Sequence, residues 1–229
     1  MRIRLNIVGR QTMLTDRPKL LGNPAAVTAR LAQLHEPHIS PLTRFVETLR
    51  TEAGPGAAVP YFDPWDGGIG AEVLLLFEAP GPKAVKSSFI SRNNPDETAK
   101  NFFELSMEAG LDRKITILWN AVPWYIGSGT KIRAATAADL ASGLGPLRRL
   151  LQLLPQVRTI VLVGKKAEKA SSQLSPVNYK LFSCPHPSPM FVNHAPDNRG
   201  KILTVLKRVR ESVVQQGAPA DVLASRARG

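Results

Sequence analysis

Short, continuous apolar runs that alternate with longer helical patterns constrain the fold of this chain more than any other feature. Residues 72–77 form the clearest run, which predicts a strand that is buried on both faces. Similar runs predict strands at 115–119, 158–163 and 179–184. This order predicts an α/β fold, a three-layer sandwich in which helices cover both faces of a central, mainly parallel four-stranded sheet.

Capping residues and glycines predict where the helices begin and end. The pairs Asn23-Pro24, Ser40-Pro41 and Asn94-Pro95 each place a capping side chain before a proline, which is typical of a helix start. Residues 52–70 carry five Gly and three Pro, so this segment is predicted to be a loop. The predicted helices cover about 24–35, 41–52, 95–109, 136–154, 165–173 and 198–216.

The chain has 229 residues, enough for one large domain or two small ones. We predict one domain over residues 1–229, with a helical N-terminal extension at 1–60 and a flexible basic tail at 218–229. The first residues alternate charged and apolar types, unlike a signal peptide, and the longest apolar runs are too short to cross a membrane. The expectation is a soluble monomer in the cytoplasm or nucleoid of a bacterial cell.

The charge balance and the cysteine count limit the chemistry that this chain can support. Lys and Arg total 30 against 18 for Asp and Glu, a net charge of +12 that predicts a polyanionic partner, most simply nucleic acid. The single cysteine, Cys184, excludes a disulfide framework and any cysteine-built zinc or iron–sulfur site within this chain. Only four histidines remain as metal ligands. We therefore expect neither a metal nor a cofactor.

In parallel sheets, binding and catalytic groups collect at the carboxyl ends of the strands. The first predicted strand is followed by Glu78 and the rigid turn Ala79-Pro80-Gly81, which either fixes an acid at the crevice or is a plain tight turn. The second predicted strand is followed by Asn120, whose side chain offers a carbonyl and an NH₂ group. This amide either reads the edge of a planar, amide-like ligand or holds its own turn.

Two further strand ends carry candidate residues. The fourth predicted strand leads to His186 and the rigid segment Pro187-Ser188-Pro189, where the histidine either donates a hydrogen bond to a developing anion or caps the loop. Met190 and Phe191 come next, and they either wedge into a base stack or pack the loop down. The third predicted strand ends in Gly164-Lys165-Lys166, which is either a phosphate site or a solvated pair of charges.

The order and placement of these residues closely resemble the uracil-DNA glycosylase superfamily, over roughly residues 60–210. The most specific part is the proline-bracketed segment that begins at His186. The string that begins at Glu78 resembles the first motif of the iron–sulfur branch, but a chain with one cysteine resembles a cluster-free relative of it. The resemblance is carried by Glu78-Ala79-Pro80-Gly81, Phe89, Asn120, Gly164 with Ala167 and Lys169, and His186-Pro187-Ser188-Pro189.

The resemblance implies an activity and three roles in it. The family hydrolyses the N-glycosidic bond of a deoxyuridine that has been flipped out of DNA. By resemblance, His186 donates to uracil O2 as negative charge develops there, and Asn120 reads the N3–H and O4 edge of the base. Phe89 lies at the family position for stacking on the flipped base.

The resemblance also implies how the first motif contributes. Ala79 occupies the position of the water-activating aspartate in the best-known branch, so Glu78 is the residue expected to orient water. The backbone around Glu78 and Ala79 is expected to line the base pocket. Gly81 stands where another branch has a tyrosine that blocks the methyl group of thymine, so discrimination against thymine must come from elsewhere or be imperfect.

The same resemblance places the DNA contacts around the pocket. Lys165 and Lys166 are expected to bind phosphates, and Met190 matches the intercalating position. The same loop side carries Ser188, Phe191 and His194 as DNA-binding candidates. Further candidates are Lys83, Lys86, Lys131, Arg133 and Arg199.

Three functions are compatible with the sequence. The first is a monofunctional uracil-DNA glycosylase of base excision repair, acting on DNA that contains uracil. The second is a glycosylase for another deaminated base, such as hypoxanthine or xanthine, and the third is a non-catalytic DNA-binding protein on the same fold. Asn120 favours uracil among the bases, and the joint presence of Asn120 and His186 favours an enzyme.

Overall fold

A computed structural model describes residues 14–129, 131–170, 174 and 179–217, and it has the predicted α/β architecture. The helices are α1 (Pro24–Leu31), α2 (Ser40–Ala53), α3 (Pro82–Ser87), α4 (Glu97–Glu108), α5 (Ala137–Gln152), α6 (Lys165–Ala170), α7 (Pro189–Val192) and α8 (Asn198–Gly217). The strands are β1 (Tyr61–Phe62), β2 (Val73–Phe77), β3 (Phe89–Ile90), β4 (Thr116–Asn120), β5 (Gly127–Ser128), β6 (Lys131–Ile132), β7 (Thr159–Val163) and β8 (Lys180–Cys184).

The four long strands form one parallel sheet in the order β4-β2-β7-β8, and helices flank it, as the sequence predicts. The register pairs Phe77 of β2 with Asn120 of β4 and Val163 of β7 with Cys184 of β8. All four strands therefore end at the same edge of the sheet. The loops that follow them meet there, and the candidate site lies at this edge.

The core explains why the strands read as continuous apolar runs. The four residues from Val73 to Leu76 are all 0% exposed. Because consecutive strand residues face opposite sides of a sheet, both faces of β2 must be covered. Helix α2 takes part in this core through Leu42 and Val46, both fully buried, and Phe45 packs against Trp119 of β4 with ring centroids 6.0 Å apart. Residues 1–13 of the predicted N-terminal extension lie outside the described residues, and the rest of it shares the core of the sheet through α2.

The helix starts agree with the sequence in some places and not in others. Asn23 caps α1 by accepting a hydrogen bond from the Ala25 N–H, as predicted, and Thr136 forms a capping box with Asp139 at the start of α5. The capping role predicted for Asn94 is wrong, because Asp96 accepts the hydrogen bond from the Ala99 N–H and α4 begins at Glu97.

The second predicted cap and several small elements also differ from the sequence expectation. Ser40 is the first residue of α2 rather than its cap. The predicted loop at 52–70 contains β1 and a 3₁₀ turn at Gly68–Gly70. The short elements α3, β3, β5, β6 and α7 have no counterpart among the predicted elements. Residues 171–173 of the predicted fifth helix and the tail at 218–229 lie outside the described residues.

Candidate active site

A cavity of about 530 Å³ opens at the carboxyl edge of the sheet. Glu78 after β2, Asn120 at the end of β4 and His186 after β8 all line it. These residues are far apart in the sequence, and the parallel register brings them together. The three strand ends that the sequence singled out as catalytic therefore share one cavity.

Asn120 lies in the wall of this cavity with a fixed backbone and an available side chain. Its residue is only 3% exposed, and its Nδ2 atom has no hydrogen-bond partner among the residues that the structure describes. Helix α5 packs closely behind it, since a Cβ atom added to Gly143 would lie 1.8 Å from the Ala121 carbonyl oxygen. A buried NH₂ group without a partner costs roughly 1–3 kcal/mol, so this group is suited to donate to a ligand carbonyl.

His186 follows β8 and lies against Gly164 at the end of β7. Gly164 brings the two strand ends close together, because its N–H donates to the Cys184 carbonyl over 2.8 Å with φ at +88°. A Cβ atom at Gly164 would lie 3.2 Å from the His186 Cβ atom, so glycine leaves room for the imidazole. The ring meets Phe77 edge-on, with centroids 6.1 Å apart. Burial lowers the pKa of His186, while Glu78 and Asp96 act in the opposite direction. The imidazole is therefore neutral at pH 7 and has one N–H to donate.

Glu78 is held by the segment that precedes α5. Its Oε1 atom accepts a hydrogen bond from the Ala135 N–H over 2.6 Å, and the Ala135 carbonyl accepts one from the Lys166 ammonium over 2.6 Å. The backbone N–H and carbonyl of Ala135 thus connect the carboxylate of Glu78 to Lys166 at the start of α6. A carboxylate has two oxygens, so a water molecule can still bind Glu78 in the cavity.

The other residues of the first motif lie where the sequence predicts. Ala79 and Gly81 both line the cavity, and Ala79 packs against the small apolar cluster of Val122, Ile126 and Ala135. A Cβ atom added to Gly81 would meet nothing within 4 Å. The cavity is therefore open at Gly81, and no side chain there restricts the size of a ligand.

Phe89 does not lie in the cavity, and the stacking role expected of its side chain needs correction. The ring is 0% exposed and packs between Leu21 and Leu34 on the side of the N-terminal helices. Its neighbour Ile90 lines the cavity instead. Adjacent residues of a strand face opposite sides, so Ile90 and not Phe89 is the β3 side chain that lines the cavity.

The loop after His186 is anchored and presents one apolar side chain to solvent. Asn101 donates to the Pro187 carbonyl over 3.0 Å, and the Ser188 hydroxyl caps α7 by accepting from the Phe191 N–H over 3.3 Å. Met190 is 84% exposed, whereas Phe191 is half-buried against the main core. Of the two apolar candidates, Met190 is thus free to meet DNA and Phe191 packs the loop down. His194, also a DNA-binding candidate, is exposed.

The candidate phosphate contacts fall into two groups. Lys165 is exposed at the start of α6, and Lys83, Lys86 and Lys131 are exposed as well. The remaining cations have partners within the protein. Lys166 donates to Ala135, Arg133 forms a two-pronged ion pair with Asp139, and Arg199 pairs with Glu108 over 2.6 Å.

A buried ionic cluster lies behind the cavity wall, and it was not predicted from the sequence. Asp63 accepts hydrogen bonds from the Ser91 hydroxyl, from Arg30 and, over 3.0 Å, from Arg113. Ser91 lines the cavity, so the cluster fixes that wall from behind and ties α1 to it. Burial would raise the pKa of Asp63, but Arg113 and Arg30 hold it at about 2. The partners lie 28 to 50 residues apart along the chain, and no local pattern points to them.

Metal and thiol chemistry have few supporting groups in the part of the chain that the structure describes. No three His, Cys, Asp or Glu side chains there come together in a group that could hold a metal ion. Burial, with a smaller contribution from Glu168, raises the pKa of the Cys184 thiol to about 12, so it is protonated at pH 7 and unreactive. In residues 14–129, 131–170 and 179–217, no helix has the length and apolar character needed to cross a bilayer.

Comparison with solved structures finds uracil-DNA glycosylases at low identity. A protein from Methanosarcina acetivorans that has been assigned as a uracil DNA glycosylase is 17% identical, with a TM-score of 0.44, and the match covers 62% of this chain and 92% of that one. The mimivirus uracil-DNA glycosylase is 15% identical, with a TM-score of 0.40, covering 72% of this chain and 67% of that one. The UNG protein from Nitratifractor salsuginis is 13% identical, with a TM-score of 0.41, covering 84% and 98%.

The family comparison is more decisive. No curated protein matches the sequence. The sequence model of the uracil DNA glycosylase superfamily, however, matches residues 64–209, which is more than half of the chain and includes Glu78, Asn120 and His186. The chain therefore belongs to the uracil-DNA glycosylase superfamily.

Proposed function

We propose that this protein is a monofunctional uracil-DNA glycosylase. It hydrolyses the N-glycosidic bond of deoxyuridine in DNA, releases uracil and leaves an abasic site. The observation that carries the proposal is that the half-buried imidazole of His186 and the NH₂ group of Asn120, which has no partner among the described residues, line the same cavity. One group suits the recognition of a base edge, and the other suits the stabilisation of a leaving anion.

Recognition of uracil rests on Asn120. The NH₂ group donates to uracil O4, and the side-chain carbonyl accepts from N3–H. Cytosine presents the opposite pattern, so its binding would leave buried polar groups of both partners unpaired, at roughly 1–3 kcal/mol each. Hypoxanthine and xanthine present the same edge as uracil through N1–H and O6, so Asn120 separates uracil from cytosine, and the choice of uracil over these purines rests on the resemblance described above.

Bond cleavage rests on the stabilisation of the leaving group. The bond between C1′ and N1 breaks, and its electron pair stays on uracil, where the charge spreads to O2. His186 donates its N–H to O2 and keeps its proton, because burial holds the imidazole in its neutral form. A donor aimed at developing charge is typically worth about 2.7–4 kcal/mol.

Hydrolysis is completed by water at the sugar. Glu78, whose carboxylate is positioned by the Ala135 N–H, orients a water molecule toward C1′. The water oxygen bonds to C1′, and its proton passes to the carboxylate and from there to solvent or to the uracil anion. This mechanism uses only side chains of this chain and needs no metal or cofactor.

DNA binding rests on the basic surface around the cavity. Lys165 supplies an exposed cation at the start of α6, and Lys166 adds a second one there, although part of its hydrogen-bonding capacity is used by Ala135. Met190 is the side chain proposed to fill the gap that a flipped nucleotide leaves in the base stack. Ser188 and His194 border the same loop.

A panel of labelled DNA duplexes, each with one modified base, tests the proposal directly. Uracil, hypoxanthine, xanthine and cytosine are placed in the same sequence, and alkali converts any abasic site to a nick. We expect cleavage only of the uracil duplex, and none by His186→Ala under the same conditions. Cleavage only at hypoxanthine or xanthine would replace uracil as the substrate, and binding without cleavage of any duplex would identify a non-catalytic DNA-binding protein.

A further inference from the structure

The hairpin formed by β5 and β6 stands at the rim of the cavity. Its strands pair antiparallel, with Gly127 opposite Ile132 and Ser128 opposite Lys131. Residues 121–138 contain no Asp or Glu and carry two cations, Lys131 and Arg133. Arg133 is paired with Asp139, so Lys131 is the cation of this segment that is left for a polyanion.

The hairpin is held in shape by Tyr125. The Tyr125 hydroxyl lies 3.0 Å from the carbonyl oxygens of both Gly129 and Lys131, and it donates to one of them at a time. The ring lies so close to Gly127 that a Cβ atom there would be 2.5 Å from it and 2.2 Å from the Lys131 carbonyl oxygen. Only glycine fits at this position, so β5 can lie close to both β6 and the Tyr125 ring.

Ile132 is the unusual side chain of this hairpin. It is 45% exposed, and it lines the cavity beside Arg133. The described residues include five large apolar side chains that are exposed, and of these only Ile132 lines the cavity. When a ligand in the pocket, or the molecule that carries this ligand, covers an apolar side chain at the mouth, apolar surface is removed from water, which favours binding.

We propose that this hairpin is a second DNA-contact surface, in which Ile132 packs against the base next to the flipped nucleotide and Lys131 binds a neighbouring phosphate. This inference rests on the proposed function, because it requires that the cavity binds a base that has been flipped out of DNA. The occupant must then continue past the cavity mouth in both directions along its strand. The loop of Met190 receives one part of this DNA, and the β5–β6 hairpin receives another.

Affinity measurements on two single variants test the two contacts separately. The probe is a duplex containing a tetrahydrofuran abasic analogue, bound by the full chain over a series of salt concentrations. We expect Ile132→Ser to weaken binding about fivefold to tenfold at every salt concentration, because it removes apolar contact and no charge. We expect Lys131→Ala to make the slope of log affinity against log salt shallower by about 0.9, because it removes one phosphate contact.

Matched control variants lie at the opposite end of the sheet. Met107 is 68% exposed near the end of α4, and Lys114 is exposed just before β4. Met107→Ser and Lys114→Ala should leave both the affinity and the salt slope unchanged. All four side chains are exposed, so thermal unfolding should show that the variants fold like the wild type.

The outcomes separate this inference from the proposed function. Binding of Ile132→Ser within twofold of the wild type, together with an unchanged slope for Lys131→Ala, would overturn the hairpin surface even if uracil is excised. If the wild type excises no uracil, the affinity measurement still decides whether the hairpin contacts DNA. An effect of Ile132→Ser as large on undamaged duplex as on abasic duplex would contradict its place beside the flipped nucleotide.

Discussion

Replacing Asn120 by Asp changes one atom of the side chain that we propose reads the base. The residue is 3% exposed and its backbone is fixed by pairing with Phe77, so the variant side chain must occupy the same place in the cavity wall. The Nδ2 atom, which has no partner among the described residues, becomes an oxygen. An ionised carboxylate at this position would set an acceptor against uracil O4, which is itself an acceptor.

The expected magnitude follows from the lost hydrogen bond. One buried polar group without a partner costs roughly 1–3 kcal/mol, which corresponds to a loss of about fivefold to 150-fold in the single-turnover rate of uracil excision. Burial also favours the protonated form of the introduced carboxyl group. A protonated carboxyl group can donate to cytosine N3 while its other oxygen accepts from the cytosine N4 amino group. The same protonated group can also donate to uracil O4, so the loss of uracil excision belongs to the ionised form. We therefore expect Asn120→Asp to lower the ratio of uracil to cytosine excision relative to the wild type and to gain excision of both bases as the pH falls.

The assay compares single-turnover rates on matched uracil and cytosine duplexes over a range of pH. Asn193→Asp is the control, because this exposed residue follows α7 and adds the same charge near the DNA-binding loop without facing the cavity. It should lower DNA affinity at most and leave the ratio of the two rates unchanged. An Asn120→Asp variant that keeps both the wild-type uracil rate and the wild-type ratio would refute the assignment of Asn120 as the reader of the base.

The remaining predictions concern the leaving group, the DNA contacts, the protonation of His186 and metals. His186→Ala should slow the chemical step by about 10²–10³ while binding to an abasic site is nearly kept. Single-turnover rates should fall at least as much for His186→Ala as for Asn120→Ala, and less for Glu78→Gln than for either. An inactive Glu78→Gln beside a nearly wild-type His186→Ala would show that water activation, and not anion stabilisation, dominates. Lys165→Ala combined with Lys166→Ala should flatten the salt slope by about 0.9 per lost contact without altering base preference, as seen in duplex-binding titrations. Burial lowers the pKa of His186 below 6.5, so as the pH falls the unfolded state binds the proton before the folded state does. The free energy of unfolding should therefore fall as the pH drops below 6.5. Denaturant unfolding of the wild type and of His186→Gln measures this, and an equal fall in the free energy of unfolding of both proteins would contradict it. Uracil excision should continue in excess chelator, and loss of activity on removal of stoichiometric metal would disprove the metal-free mechanism.

The strands of the sheet could be predicted because burial on both faces leaves a direct record in the sequence. A strand such as β2 has no polar face, so its apolar run begins and ends within a residue of the strand itself. The two-residue strands β1 and β3 leave no such record, since two residues define neither a period nor a run. Their existence depends on a pairing between Tyr61 and Phe89 that only the tertiary structure establishes.

The candidate site is predictable to the same extent as the strands that carry it. Glu78, Asn120 and His186 can be identified because each follows a recognisable strand, and parallel strands end at one edge. The sequence prediction for Phe89 is one residue away from the side chain that lines the cavity, because a two-residue strand gives no signal about which face it turns inward. The contact of Lys166 with Ala135 spans 31 residues and depends on how α6 packs beside the segment before α5, which no local pattern encodes.

The site is determined by backbone register and close backbone approach more than by the loops around it. Phe77 and Asn120 are register partners, and the Gly164 N–H bonds to the Cys184 carbonyl, so neighbouring strand ends fix the positions from which Glu78, Asn120 and His186 project. Two glycines permit this arrangement, because side chains at Gly143 and Gly164 would displace Ala121 and His186. The chemistry proposed for the cavity needs a donor for the base edge and a donor for the leaving anion at a fixed separation. A rigid sheet supplies that separation, which leaves the surrounding loops free to contribute DNA contacts such as Met190 and Ile132.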